Sequence, residues 1–394
     1  MKDKAELQQM IEKVKEDVIA WRRHFHANPE LSFKEYETSK FIYEQLESFG
    51  GFELSRPTET SVMARLIGKE GGKTIALRAD IDALAMPEEN DVEYASKNPG
   101  VMHSCGHDCH AAVLLGVAKV FSTMKNEING EIRFFFQHAE EVPPGGASQM
   151  VAAGVMEGVD NILGLHVGPA APCGMMSLTP GPITADGMNC KLKIIGKGGH
   201  SSSPEQTIDP VSIGAEVVLN LQHIVSRYTG AMEKVVFSTT KFKTPGEAYN
   251  VIPSYVELGM NARGVSTDFR EKIPAYVERI VKGITEAHGA TYEIEFEFTY
   301  PAVVNDPDTV EIITKTMKDV YGEEKIFSMP PMMGGEDFSA FSSIAPGCFM
   351  MLGVGNPEKG ACYMNHHPKF DVDEDGLTVG VGFFVYGALS LLDK

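Results

Sequence analysis

The chain has 394 residues, 43% hydrophobic and 23% charged, with a formal net charge of −19. That length exceeds what one hydrophobic core usually organises, so two domains are expected. The acidic balance and the lack of any basic run argue against nucleic acid as a partner, because phosphate binding rests on Lys and Arg.

The opening stretch MKDKAELQQMIEKVKEDV is charged throughout, which excludes an ordinary signal peptide. No apolar run approaches the ~20 residues of a transmembrane helix, so no membrane partner is expected. Without an export signal, the six cysteines are expected as reduced thiols in a cytoplasmic protein.

An amphipathic helix is predicted over 5–26, where Leu7, Met10, Ile11, Val14, Val18 and Trp21 recur at helical spacing. Asn28-Pro29 ends it. A second helix is predicted over 36–49, stopped by Gly50-Gly51. Apolar runs at 61–68, 74–79, 131–137 and 161–167 read as strands, separated by helical segments at 108–125 and 146–157. Strands that are continuously apolar and alternate with helices predict an α/β sheet covered on both faces.

The rhythm then changes. A strand at 189–196, a helix at 209–228, strands at 234–242 and 255–263, a helix at 268–287 and an alternating strand at 291–298 follow in order. That is βαββαβ, the ferredoxin-like arrangement. The predicted organisation is an α/β catalytic domain, a mixed sheet sandwiched by helices, over 1–185 and 299–394, with an inserted ferredoxin-like domain over 186–298.

The chemistry-bearing residues gather at the ends of the apolar runs. "MHSCGHDCH" (102–110) places Cys105 and His107 at a loop-to-helix junction, where thiolate and imidazole share a borderline-soft divalent metal. Taken alone it reads equally as a buried cysteine beside satisfied histidines. "QHAEE" puts Glu140 and Glu141 just past a buried strand, where open α/β sheets place their sites. "RADIDALAMPE" puts Asp80 and Asp82 past another, and "GLHVG" puts His166 at the end of a third. "YMNHHPKFDVDEDG" adds His366 and His367. Together these predict a metal-dependent hydrolase. A metal lowers the pKa of bound water from 15.7 to about 7, worth roughly 12 kcal/mol for the hydroxide form. A free glutamate must still take the proton and return it to the leaving amine, so one of Glu140 and Glu141 is expected to bind metal and the other to shuttle protons.

With these stretches, "WRRHFHANPELSFKE", "MHSCGHDCHAAVLLGVA", "GKGGHSSSP", "NVIP", "GGEDF" and "HHPKFDVDEDG" make the chain resemble the aminoacylase/carboxypeptidase-type dinuclear metallohydrolases. The branch is that of hippurate hydrolase, N-acyl-L-amino acid amidohydrolase, N-acetyldiaminopimelate deacetylase and auxin-conjugate hydrolase. The resemblance runs from about Trp21 to Leu391. It implies two divalent metal ions per subunit (Mn2+ or Zn2+, with Ni2+ or Co2+ as further options), ligated by Cys105, His107, Glu141, His166 and a histidine of "HHP". His366 stands in the register of the family's single histidine, with His367 where a small residue usually lies. The resemblance further implies Glu140 as general base, Asp82 as the aspartate that orients a ligand, and His200, Asn250 and Arg263 as substrate contacts. His200 of "GKGGHSSSP" reaches the partner subunit's site in relatives. A homodimer through the inserted lid domain, acting on a small-molecule N-acyl amino acid, is therefore expected. A dipeptidase or carboxypeptidase with the same centre is the nearest alternative; a metal-storage or thiol redox-sensor protein is the alternative from another class.

Overall fold

The computed structural model describes residues 2–266 and 268–393. The chain divides into two compact units, one formed by Met1–Ile183, Val303–Pro330 and Asp337–Lys394, the other by Thr184–Ala302 and Pro331–Glu336. The boundaries shift from 185/186 and 298/299 to 183/184 and 302/303. The return of 331–336 to the second unit has no counterpart in the sequence pattern.

The first unit is built on an eight-stranded mixed sheet. Its strand order is Glu53–Ser55, Val62–Ile67, Asn129–Gln137, Lys69–Asp80, Asn161–Pro172, Gly347–Gly355, Met176–Ser177 and Ile326–Phe327. The central pairs, Lys69–Asp80 with Asn129–Gln137 and with Asn161–Pro172, and the latter with Gly347–Gly355, are parallel. Alternation along the strands sends side chains to two cores. Phe134 and Phe136 enter one core with Ile75 and Leu77, while Phe135 enters the other with Ala76 and Ile162. Gly164 is needed between strands, since a Cβ there would lie 2.7 Å from the Phe349 ring and 2.8 Å from that of Phe338.

The first core is covered by the helices Lys15–Ala27, Tyr36–Phe49, His107–Ser122 and Leu377–Leu392. The predicted 5–26 helix is two helices, Lys4–Lys13 and Lys15–Ala27, meeting at Val14. The predicted 146–157 helix shortens to Gly146–Ala152. The strand carrying His166 runs on to Pro172 rather than ending at the histidine. The stretch Glu374–Leu392 is long and apolar enough to cross a membrane, contrary to the expectation of no such run, but 83% of its apolar window is buried inside the protein. It is a core helix.

The second unit has an antiparallel sheet in the order Val235–Lys243, Tyr255–Gly264, Asp186–Ile195, Thr291–Phe298. The helices Pro210–Leu221 and Phe269–Ala287 pack on it around Met188, Leu192, Val217, Val256, Leu258 and Val277. Chain order and strand order together give the ferredoxin-like βαββαβ fold.

Candidate metal centre

The centre forms past the carboxyl ends of the parallel strands, where open α/β sheets place their sites. Cys105 sits in a turn at the start of the His107–Ser122 helix, and the intervening Gly106 has φ +93°. A Cβ at Gly106 would meet Val167 Cγ2 at 2.3 Å, so only glycine lets Cys105 and His107 lie this close to the His166 strand.

Two donor triads share the Cys105 thiol. Cys105, His107 and His166 form one, and Cys105, Glu141 and His366 the other; within each triad the donor atoms lie within 4.8 Å of one another. His107, Glu140 and Glu141 meet the same criterion. Cys105 Sγ is 3.3 Å from both His166 Nε2 and His366 Nε2, and His366 Nε2 is 3.1 Å from Glu141 Oε1. His367 instead stacks on Tyr363, with ring centroids 4.5 Å apart.

His107 and His166 are each oriented by the other ring nitrogen. His107 Nδ1 faces the Asp82 carbonyl oxygen at 2.9 Å and its carboxylate at 3.2 Å. His166 Nδ1 donates to the Val167 carbonyl at 2.8 Å. Both Nε2 atoms are thereby left for a ligand. Asp82 also accepts from the Glu141 amide at 3.1 Å and the Ser32 hydroxyl at 2.7 Å.

These residues fit a cation. Among the described residues, His107 Nε2 is buried with no hydrogen-bond partner. Burial disfavours charge on His107, yet nearby Asp80 and Cys105 hold its pKa well above the usual histidine value. Burial likewise pushes the Cys105 thiol up. A cation bound to thiolate and imidazole must displace any proton these groups hold, which is the linkage expected of such a site.

Several contributors lie outside the predicted set. His110 Nδ1 lies 2.5 Å from Asp80, and its Nε2 accepts from the Val167 amide at 2.9 Å, pinning the strand beside His166. Asn365 Nδ2 bridges the carbonyls of Cys105 and Val167 at 2.9 and 3.2 Å. Arg78, fully buried, donates to Gln137, Asp80 and Asp337 at 2.7, 2.8 and 2.8 Å. Burial would raise Asp80, but His107, Arg78 and His110 hold its carboxyl well below the usual range. His110 was visible in the cysteine–histidine stretch. Asn365 and Arg78 carry no sequence signal, because an amide or guanidinium near a motif is ordinary.

The predicted substrate contacts belong to the second unit. His200 is exposed, its Nδ1 accepting from the Ser202 amide at 3.1 Å. The Asn250 carbonyl accepts from the Ser201 amide at 3.1 Å, beside the short pairing of Gly199–His200 with Val251–Ile252. Arg263 lies on the central strand Tyr255–Gly264, opposite Gly187.

The family model described as Peptidase family M20/M25/M40 matches residues 76–389. The chain belongs to this family. It is 56% identical over 302 residues to an N-acyl-L-amino acid amidohydrolase of Geobacillus stearothermophilus, covering 77% of this chain and 81% of that one. It is 41% identical over 381 residues to thermostable carboxypeptidase 2 of Saccharolobus solfataricus, covering 94% and 96%. The crystal structure of Bacillus subtilis YXEP, described as a dinuclear metal binding peptidase from the M20 family, superposes with a TM-score of 0.86 at 32% identity, covering 97% of this chain and 99% of that one. The M20 chain described here is an amidohydrolase.

Proposed function

We propose that this amidohydrolase cleaves the amide bond of N-acyl amino acids, releasing a carboxylic acid and a free amino acid. The observation that carries the reading is the pair of donor triads sharing Cys105, with Glu140 beside His107 and Glu141. The 56%-identical relative named for N-acyl-L-amino acids supports the substrate class.

Cys105, His107, Glu141, His166 and His366 are the proposed ligands of two divalent ions, Mn2+, Zn2+, Ni2+ or Co2+. Bound there, such ions supply Lewis acidity toward a carbonyl and lower the pKa of water. Glu140, buried past its strand end, takes the proton of the attacking water and passes it to the leaving nitrogen. Asp82 fixes the His107 tautomer and the Glu141 amide together. His200 is proposed to stabilise the developing oxyanion or hold the substrate carboxylate; Asn250 and Arg263 are the other carboxylate contacts, Arg suiting a bidentate grip. The unit containing Thr184–Ala302 is proposed as lid and dimerisation domain of a homodimer.

The test is amine release by chelator-stripped protein restored with Mn, Zn, Co or Ni in turn. The substrates are N-acetyl, N-benzoyl and indole-acyl amino acids beside dipeptides. Metal-dependent cleavage of the acyl amino acids is expected. E140Q is expected to lose roughly 10²- to 10⁴-fold in rate with metal content unchanged. Cleavage confined to dipeptides would keep the centre and move the substrate to that of the carboxypeptidase relative. Silence with every metal would overturn the assignment of N-acyl amino acids as the substrate.

A further inference from the structure

Glu140 is held by its neighbours in an unusual way. The residue before it, Ala139, has φ +49°, in the left-handed region that non-glycine residues rarely occupy. Such a conformation persists only where the surroundings over-determine it. The Ala139 amide donates to Glu35 Oε1 at 2.9 Å, and its carbonyl accepts from the Gly146 amide at 2.9 Å. On the other side of Glu140, the Glu141 amide donates to Asp82 Oδ2 at 3.1 Å. Two buried carboxylates thus grip the backbone on both sides of the proposed base.

Both carboxylates are tied to one short segment, 30–35. Glu35 Oε1 also accepts from the amide of Phe33, itself left-handed at φ +64°, at 3.0 Å. Glu35 Oε2 accepts from the Thr60 hydroxyl at 2.8 Å. Ser32 Oγ donates to Asp82 at 2.7 Å, and the Ala83 amide donates to the Glu30 carbonyl at 2.8 Å. Glu35 occupies the position just before the Tyr36–Phe49 helix, yet its side chain makes no cap to that helix.

We infer that Glu35 is a positioning residue of the hydrolase: its carboxylate clamps Ala139 in the left-handed conformation that aims Glu140. This rests on the proposed role of Glu140. The clamp works by accepting hydrogen bonds, so the acceptor's position matters and its charge does not. A glutamine there keeps all three bonds, its Oε1 accepting both amides and its Nε2 donating to the Thr60 hydroxyl. An aspartate keeps the charge but withdraws the oxygens by one methylene.

The experiment compares E35Q, E35D and E35A with the unaltered chain by kcat, KM, metal content and circular dichroism, on whichever substrate the panel identifies. E35Q is expected within about threefold of the unaltered kcat. E35D and E35A are expected to fall roughly 10- to 100-fold in kcat, as for a ~1 Å misplacement, with KM and metal content little changed. A merely structural residue would lower the folded fraction and leave kcat per folded, metal-loaded site intact. If E35A fails to fold, the order of E35Q over E35D decides. E35D as active as E35Q, or E35Q as impaired as E35D, overturns the inference. An unaltered chain silent on the whole panel would instead sink the functional reading, and the two failures are therefore distinguishable.

Discussion

Glu35 illustrates what burial does to a single carboxyl group. Its enclosure, reinforced by the nearby charge of Asp82, pushes its pKa up from 4.5 to about 7. The folded chain thus binds that proton more tightly than the unfolded chain does. Below about pH 4.5 both states hold the proton and nothing is lost. As pH rises toward 7 the unfolded state ionises freely while the folded state resists, so stability falls, and above 7 the full cost of about 3 kcal/mol is present. E35Q cannot ionise. Its stability relative to the unaltered chain is therefore expected to grow in its favour between pH 5 and 8, by about that amount. Denaturant midpoints of the two proteins at several pH values check this; parallel curves across that range would show that Glu35 titrates normally. Glu35 was not legible in the sequence, because a glutamate in "FKEYE" reads as a solvated helix start. Its partners, the amides of Ala139 and Phe33, lie in backbone conformations that residue identity does not announce.

At the scale of elements, Arg22 joins three pieces of chain. It is fully buried on the Lys15–Ala27 helix, and its guanidinium reaches Asp108 at 2.9 Å, Asp371 at 2.8 Å and Glu374 at 3.3 Å. Asp108 lies in the first turn of the His107–Ser122 helix, where a negative charge suits the helix dipole. Burial alone would raise Asp108, but Arg22 and His26 hold its carboxyl well below the usual range. Removing the cation leaves three acids with a missing partner. R22M is expected to cost about 3–5 kcal/mol, a fall in Tm of roughly 5 °C for a chain of this length, read by a thermal melt. A loss below about 1 kcal/mol would mean that the acids are satisfied otherwise. The elements themselves were largely legible. The apolar runs at 74–79, 131–137 and 161–167 became parallel-paired strands because both sheet faces are covered, whereas the run at 61–68 pairs antiparallel on both sides; the His107–Ser122 helix follows the motif that starts it. The strand Gly347–Gly355 was not singled out, and the 5–26 helix was read as unbroken, since nothing in its periodicity marks Val14. The donor residues stood out as rare residue types gathered near the ends of apolar runs and at the start of one helix. The groups that orient them, Asn365, Arg78 and Glu35, did not, because hydrogen-bond partners from distant segments leave no local pattern.

At the scale of the whole molecule, the second unit exposes apolar side chains that its own core does not use. Leu219 on the Pro210–Leu221 helix is 70% exposed, and Val236 and Phe242 on the strand Val235–Lys243 are 46% and 43% exposed. That strand is at the edge of its sheet, paired on one side only with Tyr255–Gly264. An exposed apolar edge is a template for pairing unless something covers it. Lys241 and Lys243 lie toward its far end, where charge discourages indefinite stacking, while Val235, Val236 and Phe237 open the strand without charge. The proposed homodimer would cover this edge with a second copy of the chain, since a two-fold contact uses the same patch on both partners and closes. Sedimentation at micromolar concentration is expected to give about twice the 43.0 kDa chain mass. The double variant L219E/V236E is expected to sediment as a folded monomer, because four buried carboxylates in a symmetric contact cost far more than the apolar area contributes. Should the unaltered protein sediment as a monomer, the proposed dimer fails, and with it any role for His200 in a partner's site. Should the double variant remain a dimer, the contact lies elsewhere on the chain.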